Sequence, residues 1–297
     1  MQIVVTGGLG FIGSHTVVEL QNVGYEVIVI DNLSNSSIDV LGGIERITGK
    51  QPIFEQIDLR EKAAVQAFFA KYTEVTGVIH FAASKAVGES VQNPLLYYEN
   101  NIASLVYLLQ ELQKKPEAHF IFSSSCTVYG QAEVMPIAET TPIQAAMSPY
   151  GNTKQIGEEI IADVTKVSGL NAILLRYFNP IGAHPSTEIG ELPIGVPQNL
   201  VPFITQTGMG LRKELSVYGN DYPTVDGTCV RDYIHVVDLA KAHVVALQRL
   251  LDKKNETALE VFNLGTGKGS SVLEVITAFE KVSGQELPYT IVPRREG

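Results

Sequence analysis

A tyrosine and a lysine stand four residues apart in the segment 148–154, which reads SPYGNTK. Because residues four apart project from the same face of a helix, Tyr150 and Lys154 would lie side by side. A phenol with an ordinary pKa of about 10 is a weak base at neutral pH, and a neighbouring ammonium favours its ionised form. The pair predicts a tyrosine that acts as a general base, although this spacing is also typical of an ordinary half-exposed helix face.

A serine at the end of a predicted strand is the third candidate for this chemistry. Ser125 closes a run of three serines, and its hydroxyl would project at the carboxyl edge of a parallel sheet, where ligands bind. The adjacent Cys126 is interpreted as a small packed residue, since nothing suggests a base beside it. None of the six histidines has the spacing of zinc ligands, so we expect no metal.

Three glycines join the first predicted strand to the first predicted helix. Gly7, Gly10 and Gly13 have the spacing G-x-x-G-x-x-G. Glycine permits the tight turn, the approach of a pyrophosphate to the backbone and the close packing of helix on strand. The N-terminus of the helix then presents unpaired N–H groups and a partial positive charge to the phosphates. The loop predicts a dinucleotide site, with a glycine turn that binds nothing as the alternative.

An acidic residue ends the second predicted strand. Asp31 follows Gly13 by 18 residues, the distance expected of a carboxylate that accepts hydrogen bonds from both adenosine ribose hydroxyls. The same carboxylate would repel a 2′-phosphate. The sequence therefore favours NAD over NADP. The positive nicotinamide ring would also favour the phenolate form of Tyr150.

Short runs rich in Val and Ile alternate with longer periodic segments up to about residue 180. This alternation predicts an α/β fold with a doubly wound, Rossmann-like parallel sheet. The predicted strands are 3–6, 26–31, 53–57, 77–81, 119–124 and 172–177, followed by strand-like 215–218 and 259–264. The predicted helices are 11–23, 62–72, 95–113 and 150–168, followed by helix-like 237–251 and 272–283.

The chain is expected to divide after Asn179, where prolines and glycines become frequent. Residues 1–179 would form the NAD-binding domain, with strand and helix contributions from later residues. Residues 180–297 would form a smaller, loop-rich C-terminal substrate region. Within the first part, the segment 95–113 is apolar on more than one face. One face would cover the sheet, and the other would either be buried within the subunit or meet a second subunit.

Composition restricts the classes of partner. The formal net charge is −10 and the pI about 5.1, so the chain would repel nucleic acid and an anionic membrane surface. Cys126 and Cys229 are the only cysteines, too few for a disulfide framework, which favours a cytoplasmic protein. No apolar run is long enough to span a bilayer, and a strand starting at Gln2 would leave no room for a signal peptide.

Taken together, the motifs resemble the extended short-chain dehydrogenase/reductase superfamily and, within it, the UDP-glucose (UDP-galactose) 4-epimerase family. The resemblance runs from Ile3 to the last residue. It strengthens the interpretation of Tyr150, Lys154 and Ser125 as catalytic residues. It is carried by several independent segments in the right order, namely 7–15, 80–82, 85–91, 123–130, 148–154, 176–184, 219–223 and 231–235.

The resemblance implies NAD held as a permanent cofactor and a reversible oxidation at carbon 4 of the sugar. Tyr150 would take the proton of the 4-hydroxyl, Ser125 would hydrogen-bond that oxygen, and Lys154 would hold the ribose and lower the pKa of the phenol. The 4-keto sugar would swing over, held by its UDP tail, and take the hydride back on its other face. The expected cofactor residues are Gly7, Gly10, Phe11, Ile12, Gly13, Asp31, Asn32, Asp58, Leu59, Phe81, Ala82, Lys85, Asn100, Ser123, Lys154, Tyr177 and Phe178.

The resemblance also implies a homodimer built from paired helices, and a site for a UDP-sugar, UDP-glucose or UDP-galactose. Arginine is well suited to binding phosphate, so Arg231 and Arg295 are the most natural diphosphate or ribose ligands, although exposed surface ion pairs are the alternative for both. The expected substrate residues are Lys85, Ser125, Tyr150, Asn179, Asn199, Leu200, Ser216, Val217, Tyr218, Arg231 and Arg295.

The sequence departs from the family pattern in two places. The family usually reads Ala-Gly-Leu-Lys where this chain has AASK at 82–85, which adds a methyl and a hydroxyl near the cofactor. The family also continues past the position of residue 297 with a segment that completes the substrate pocket and gates sugar size.

Two other functions fit the same scaffold. A nucleotide-sugar 4,6-dehydratase needs an acid and a base for water elimination, usually an Asp-Glu pair just after the strand-end hydroxyl. Cys126 and Thr127 occupy those positions and supply no carboxyl group. A non-catalytic NAD-binding scaffold is the second alternative, and the presence of Ser125, Tyr150 and Lys154 argues against it.

Overall fold

The computed structural model describes residues 1–115 and 117–294. The strands in this part of the chain are β1 (Gln2–Thr6), β2 (Glu26–Asp31), β3 (Ile53–Gln56), β4 (Val75–His80), β5 (His119–Ser125), β6 (Asn171–Tyr177), β7 (Asn179–Ile181), β8 (Leu215–Tyr218), β9 (Val230–His235), β10 (Leu259–Leu264), β11 (Gly269–Ser271) and β12 (Tyr289–Val292). The α-helices are α1 (Phe11–Asn22), α2 (Val40–Thr48), α3 (Lys62–Lys71), α4 (Val87–Gln92), α5 (Pro94–Tyr98), α6 (Ser104–Leu112), α7 (Pro149–Val167), α8 (Leu200–Gly208), α9 (Val236–Leu251) and α10 (Val272–Ser283).

A seven-stranded parallel sheet forms the centre of the fold, in the order β10-β6-β5-β4-β1-β2-β3. Strand order reverses between β1 and β4, so a crevice opens there at the carboxyl ends of the strands. This confirms the predicted doubly wound sheet. Every predicted strand is present, with ends that differ by no more than two residues.

Side chains of the central strands are buried on both faces, as the continuous apolar runs predict. In β1, Ile3 and Val5 face a core shared with α1, α2 and α9, whereas Val4 faces the core shared with α3, α6 and α7. All three side chains are fully buried. The sheet therefore lies between two helical layers, which is the arrangement that aligns strand ends at one edge.

The predicted helix over 95–113 is confirmed as one unbroken helical stretch, with a local π turn that the periodicity did not indicate. This stretch contains α5, a π-helical turn at Glu99–Ala103, and then α6. The π turn coincides with two adjacent asparagines, and the Asn101 amide is buried and bonded to groups outside the helix. π turns occur frequently at functional sites.

The later part of the chain contributes to the central sheet and also forms small sheets of its own. β10 pairs with β6 along its full length, and α9 packs against α1. β7, β9 and β11 form one small sheet, and β8 pairs with β12 in another. Among the described residues, the structure contains no helix that is both apolar enough and long enough to cross a membrane.

Truncation of a core leucine should destabilise the fold far more than truncation of an exposed one. Leu108 on α6 is fully buried, so Leu108→Ala should lower the free energy of unfolding by about 2–5 kcal/mol. Leu211 is 71% exposed, and Leu211→Ala should change the free energy of unfolding by no more than about 0.5 kcal/mol. Urea unfolding of both variants measures the difference. Equal losses would contradict the packing described for α6.

Candidate active site

The glycine loop requires glycine at two positions. Gly7 has φ +66°, and a Cβ on it would lie 2.8 Å from the backbone nitrogen of Ala82. A Cβ on Gly13 would lie 2.2 Å from the carbonyl oxygen of Gly7, which excludes any side chain there. The loop therefore brings the end of β1, the start of α1 and the residues after β4 into close contact.

The N-terminus of α1 has no side-chain cap. Gly10 is the N-cap residue, and the first turn, which includes the predicted cofactor residues Phe11 and Ile12, contains no acidic residue. The first N–H groups of a helix have no intrahelical partner. This end of α1 is therefore suited to the phosphates of a dinucleotide, as the spacing predicts.

Asp31, at the end of β2, is buried and held against the glycine loop. Its carboxylate accepts hydrogen bonds from the backbone N–H of Leu9 at 3.1 Å, from the N–H of Leu33 at 2.9 Å and from the hydroxyl of Ser36 at 2.8 Å. A carboxylate has about four acceptor positions. Acceptor capacity therefore remains on this carboxylate for an adenosine ribose, and contact with both ribose hydroxyls stays a prediction.

A second acidic residue lies beside Asp31 at the sheet edge. Asp58 accepts a hydrogen bond from the Asn32 amide at 3.3 Å and pairs with Arg60 at 2.7 Å. The hydrogen bond from Arg60 lowers the pKa of Asp58 to about 2. Asp58 is therefore ionised at neutral pH and orients Asn32, a predicted cofactor residue.

The residues after β4 are fixed by side-chain hydrogen bonds. Ala82 donates its N–H to the Thr6 hydroxyl at 3.3 Å. The Asn101 amide accepts from Ser84 N–H at 2.8 Å and donates both to the Ser84 carbonyl and to the Thr153 hydroxyl, each at 3.0 Å. Asn100 donates to the Ser84 hydroxyl at 3.0 Å. The π turn thus ties this loop to α7, a role for Asn101 that sequence reasoning missed.

Helix α7 begins immediately before the candidate base. The hydroxyl of Ser148 caps the helix by accepting from Gly151 N–H at 3.2 Å, and Pro149 occupies the first turn. Both residues are favoured at a helix start. Tyr150 therefore lies in the first turn of α7, at the carboxyl edge of the sheet.

Lys154 is buried beneath Tyr150. Its ammonium donates a hydrogen bond to the Ser123 carbonyl at 2.7 Å and lies 5.9 Å from the centre of the Tyr150 ring. Within the described part of the chain, the Ser123 carbonyl is the acceptor that it contacts, and an ammonium has three donors. Two N–H groups are therefore available for ribose hydroxyls, which fits the predicted role in holding NAD.

The protein's own groups raise the pKa of the phenol instead of lowering it. Burial raises the pKa of Tyr150 to about 12, and the hydrogen bond with Ser125 acts in the opposite direction. Burial likewise lowers the pKa of Lys154 to about 8, whereas Glu158 raises it. Activation of the phenol is predicted to need both Lys154 and the positive nicotinamide ring, and that joint role stays a prediction.

Ser125 closes β5 beside a buried polar pair. Its hydroxyl accepts the N–H of Thr127 at 3.2 Å, which starts a short 3₁₀ turn. On β5 and β6, the hydroxyls of Ser123 and Tyr177 bond to each other. Burial raises the pKa of Cys126 to about 11, so its thiol is protonated at neutral pH, as a packed residue would be.

A carboxylate links two of the predicted substrate residues. Glu191 accepts a hydrogen bond from the Asn199 amide at 2.7 Å, and its other neighbour, the Lys85 ammonium, lies 3.9 Å away. Asn199 is the residue before α8, in which Leu200 is the first residue. Sequence reasoning missed Glu191, because nothing in its spacing distinguishes it from an ordinary surface acid.

The remaining predicted residues lie in several environments. Phe81 follows β4, Phe178 and Asn179 follow β6, and Asn179 donates to the carbonyl of Asp232 at 3.1 Å. Arg231 is exposed on β9, and Ser216 and Tyr218 are exposed on β8. The side chains of Leu59 and Val217 are 5% and 1% exposed in hydrophobic cores, so only their backbones can contact a ligand. Arg295 lies outside the described residues.

Among the described residues, no group of three or more His, Cys, Asp or Glu side chains could hold a metal ion. The site instead combines an uncapped helix end, a buried acid after β2 and a Ser–Tyr–Lys cluster after β5. On a parallel sheet, these features define a short-chain dehydrogenase/reductase type of protein.

Comparison with known proteins identifies the family within this class. Residues 3–265 match the model of the NAD dependent epimerase/dehydratase family. The chain is 53% identical over 298 residues to a UDP-glucose 4-epimerase of Bacillus subtilis, covering 100% of this chain and 86% of that protein. The chain belongs to the NAD dependent epimerase/dehydratase family and, within it, to the UDP-glucose 4-epimerases.

Solved structures agree with this assignment. The fold is similar to UDP-glucose-4-epimerase from Stenotrophomonas maltophila with bound NAD and formylated UDP-arabinopyranose, with a TM-score of 0.94, 49% identity and coverage of 100% of this chain and 87% of that one. It is equally similar to the Bifidobacterium longum enzyme in complex with NAD+ and UDP, with a TM-score of 0.94, 49% identity and coverage of 100% and 88%.

Replacement of Gly13 should disrupt cofactor binding. The Cβ of Gly13→Ala would overlap the Gly7 carbonyl, so the variant should lose most of its NAD and about 1–3 kcal/mol of stability. Gly42→Ala is the matched control, because its Cβ would approach only the flexible end of Arg46. It should keep its NAD and change stability by no more than about 1 kcal/mol. Absorbance of NAD released on denaturation measures both.

Proposed function

We propose that the Ser–Tyr–Lys cluster interconverts UDP-glucose and UDP-galactose at carbon 4 of the sugar. The observation that carries this function is the position of Tyr150 and Lys154 against the end of β5, at the sheet edge that also carries the glycine loop. The relatives that are about half identical along the whole chain are UDP-glucose 4-epimerases. NAD is the cofactor, and when bound it accepts a hydride from carbon 4 and returns it.

Tyr150 is the proposed base. Its phenolate would remove the proton of the sugar 4-hydroxyl and return it when the sugar is reduced again, while Ser125 donates a hydrogen bond to the same oxygen. Because burial raises the pKa of Tyr150 to about 12, the phenol holds its proton firmly in the protein alone. Proton transfer therefore requires a complete site, in which Lys154 and the positive ring of the oxidised cofactor favour the phenolate.

The UDP group is proposed to hold the substrate while the sugar turns. Asn179, Asn199 and Arg231 offer amide and guanidinium donors, and the backbone of β8 at 216–218 offers peptide groups. The sugar itself then needs few rigid contacts, which permits rotation of the 4-keto ring. The Glu191 carboxylate contacts both Lys85 and Asn199, and it would repel an anionic ligand bound there. Glu191 would therefore have to move away before these two residues could bind the ligand.

The two parts of the chain are proposed to bind different ligands. Residues 1–179, joined by β10 and α9, would bind NAD, and residues 180–297 would bind the UDP-sugar.

A dehydratase would need carboxyl groups at positions 126 and 127, where Cys126 and Thr127 supply none. A cytoplasmic location stays a prediction from the cysteine content.

A homodimer through α5 and its neighbours is proposed as the assembly. Leu95 is 80% exposed, and Val91 and Leu96 are also exposed, whereas Leu108 and Leu112 on α6 are fully buried within the subunit. Only one side of this helical stretch thus covers the sheet. An apolar face left in water is typical of a contact with a second subunit.

Tyr150→Phe should lower kcat by about 10²–10⁴-fold while the protein keeps its NAD, since only the proton-transferring hydroxyl is lost. Conversion of UDP-galactose to UDP-glucose without added NAD measures the effect. Tyr25→Phe, which removes a hydroxyl bonded to Gln248, is the control and should turn over normally. Unchanged turnover in Tyr150→Phe would disprove the base, and a 4-keto-6-deoxy product would indicate a dehydratase.

Leu95→Glu should convert the dimer to a monomer, because a buried unpaired carboxylate at an interface is unfavourable. Light scattering after gel filtration measures the mass. Val282→Glu places the same charge at a side chain that is 89% exposed on α10, and it should leave the dimer intact. A monomeric parent chain would refute the proposed assembly.

A further inference from the structure

A buried ion pair lies directly behind the Ser–Tyr–Lys cluster. Glu158 on α7 and Arg176 on β6 are 5% and 6% exposed. The guanidinium contacts both carboxylate oxygens, with Nε 2.9 Å from Oε1 and Nη2 2.5 Å from Oε2. This is the two-pronged geometry that gives an arginine–carboxylate pair its directional specificity.

The pair is connected to the strand that ends at Ser125. The Ser124 hydroxyl donates to Glu158 Oε1 at 2.5 Å. One helical turn earlier on the same face of α7, Lys154 donates to the Ser123 carbonyl at 2.7 Å. Two consecutive residues of β5 are therefore bonded to two residues of α7 four apart, which leaves the helix no freedom to slide along the strand.

The same pair also holds the chain beyond Ser125. Arg176 Nη1 donates to the Tyr129 hydroxyl at 3.0 Å, and that hydroxyl donates to the Asn263 amide oxygen on β10 at 2.7 Å. Tyr129 is fully buried at the end of the 3₁₀ turn that begins after Ser125. Ser125 thus lies in a segment bonded to the ion pair on both sides.

We propose that Ser124, Tyr129, Glu158 and Arg176 form a positioning clamp that sets the distance from Ser125 and Lys154 to Tyr150. This inference rests on the proposed function, since it names residues that act through the same site. None of the four needs to touch the substrate. A shift of about 1 Å in catalytic geometry can cost about 100-fold in rate, so the rigidity of this network has a kinetic consequence.

The charges around Lys154 also support a role for the Glu158–Arg176 pair in this site. Glu158 raises the pKa of Lys154 against the effect of burial and so favours the ammonium form. Arg176, whose pKa is raised by its hydrogen bonds to Glu158 and Tyr129 despite burial, balances the charge of Glu158. The remaining ionisable neighbours of Lys154 are Tyr150 on its own helix and His80 on β4, where burial keeps the imidazole neutral with a pKa of about 3.

The test must separate positioning from stability. Replacing a buried ion pair with apolar side chains is often neutral or stabilising, whereas removal of one partner leaves an unpaired charge. The double variant Glu158→Leu/Arg176→Met should therefore fold with a Tm close to that of the parent. Its kcat should fall by about 100-fold with little change in the KM for UDP-galactose, at saturating NAD, and it should retain less NAD through gel filtration.

A second arginine–glutamate pair provides the matched control. Arg249 and Glu260 make two hydrogen bonds of 2.7 and 2.8 Å between α9 and β10. Glu260→Leu/Arg249→Met should leave kcat and NAD content unchanged. If the control loses as much activity as the clamp variant, or if the clamp variant keeps parental kcat and NAD, the proposal is overturned.

If the double variant does not fold, Ser124→Ala tests the positioning clamp instead. It removes one hydroxyl from the clamp and should lower kcat several-fold at an unchanged Tm, and parental kcat would overturn the proposal. NAD retention is measured in every variant and does not depend on the sugar reaction. A parent chain that binds NAD but does not convert UDP-galactose would refute the proposed function. The clamp would still be supported in that case if the double variant lost NAD and the parent chain retained it.

Discussion

The burial of one ammonium beneath the end of β5 is the interaction on which the site depends. Lys154 leaves water to donate to the Ser123 carbonyl, and burial lowers its pKa to about 8. The cost of this burial is offset by groups fixed around it, above all Glu158 and the backbone of β5. Because the same helix carries Tyr150 one turn earlier, the placement of one charge also places the base.

The parallel sheet explains why these groups meet the cofactor loop. All seven central strands run in the same direction, so Thr6, Asp31 and Ser125, although far apart in sequence, end at one edge. The reversal of strand order between β1 and β4 opens the crevice into which the uncapped end of α1 points. The proposed chemistry is thus assembled from strand ends, and the helices α1 and α7 would supply the phosphate site and the base.

Much of this could be predicted from local sequence. The apolar runs predicted the central strands, because strands buried on both faces have no polar alternation to obscure them. The glycine spacing and Asp31 predicted the dinucleotide site, because steric exclusion at Gly13 and charge at Asp31 are properties of single residues. The helix over 95–113 was predicted but its π turn was not, since periodicity does not show that Asn101 turns its amide outward to Ser84 and Thr153.

The sequence by itself therefore determined the residue types, the order of strands and helices along the chain and the identity of the reacting groups, all of which depend on neighbours within a few positions. Tertiary structure decided what depends on distant contacts. It holds Asp31 against the N–H of Leu9 and raises the pKa of Tyr150. It also bonds the Glu158–Arg176 pair to Ser124 and Tyr129, on either side of Ser125. The physical reason is that the hydrogen bonds behind these features join groups 18 or more residues apart, which no local pattern records.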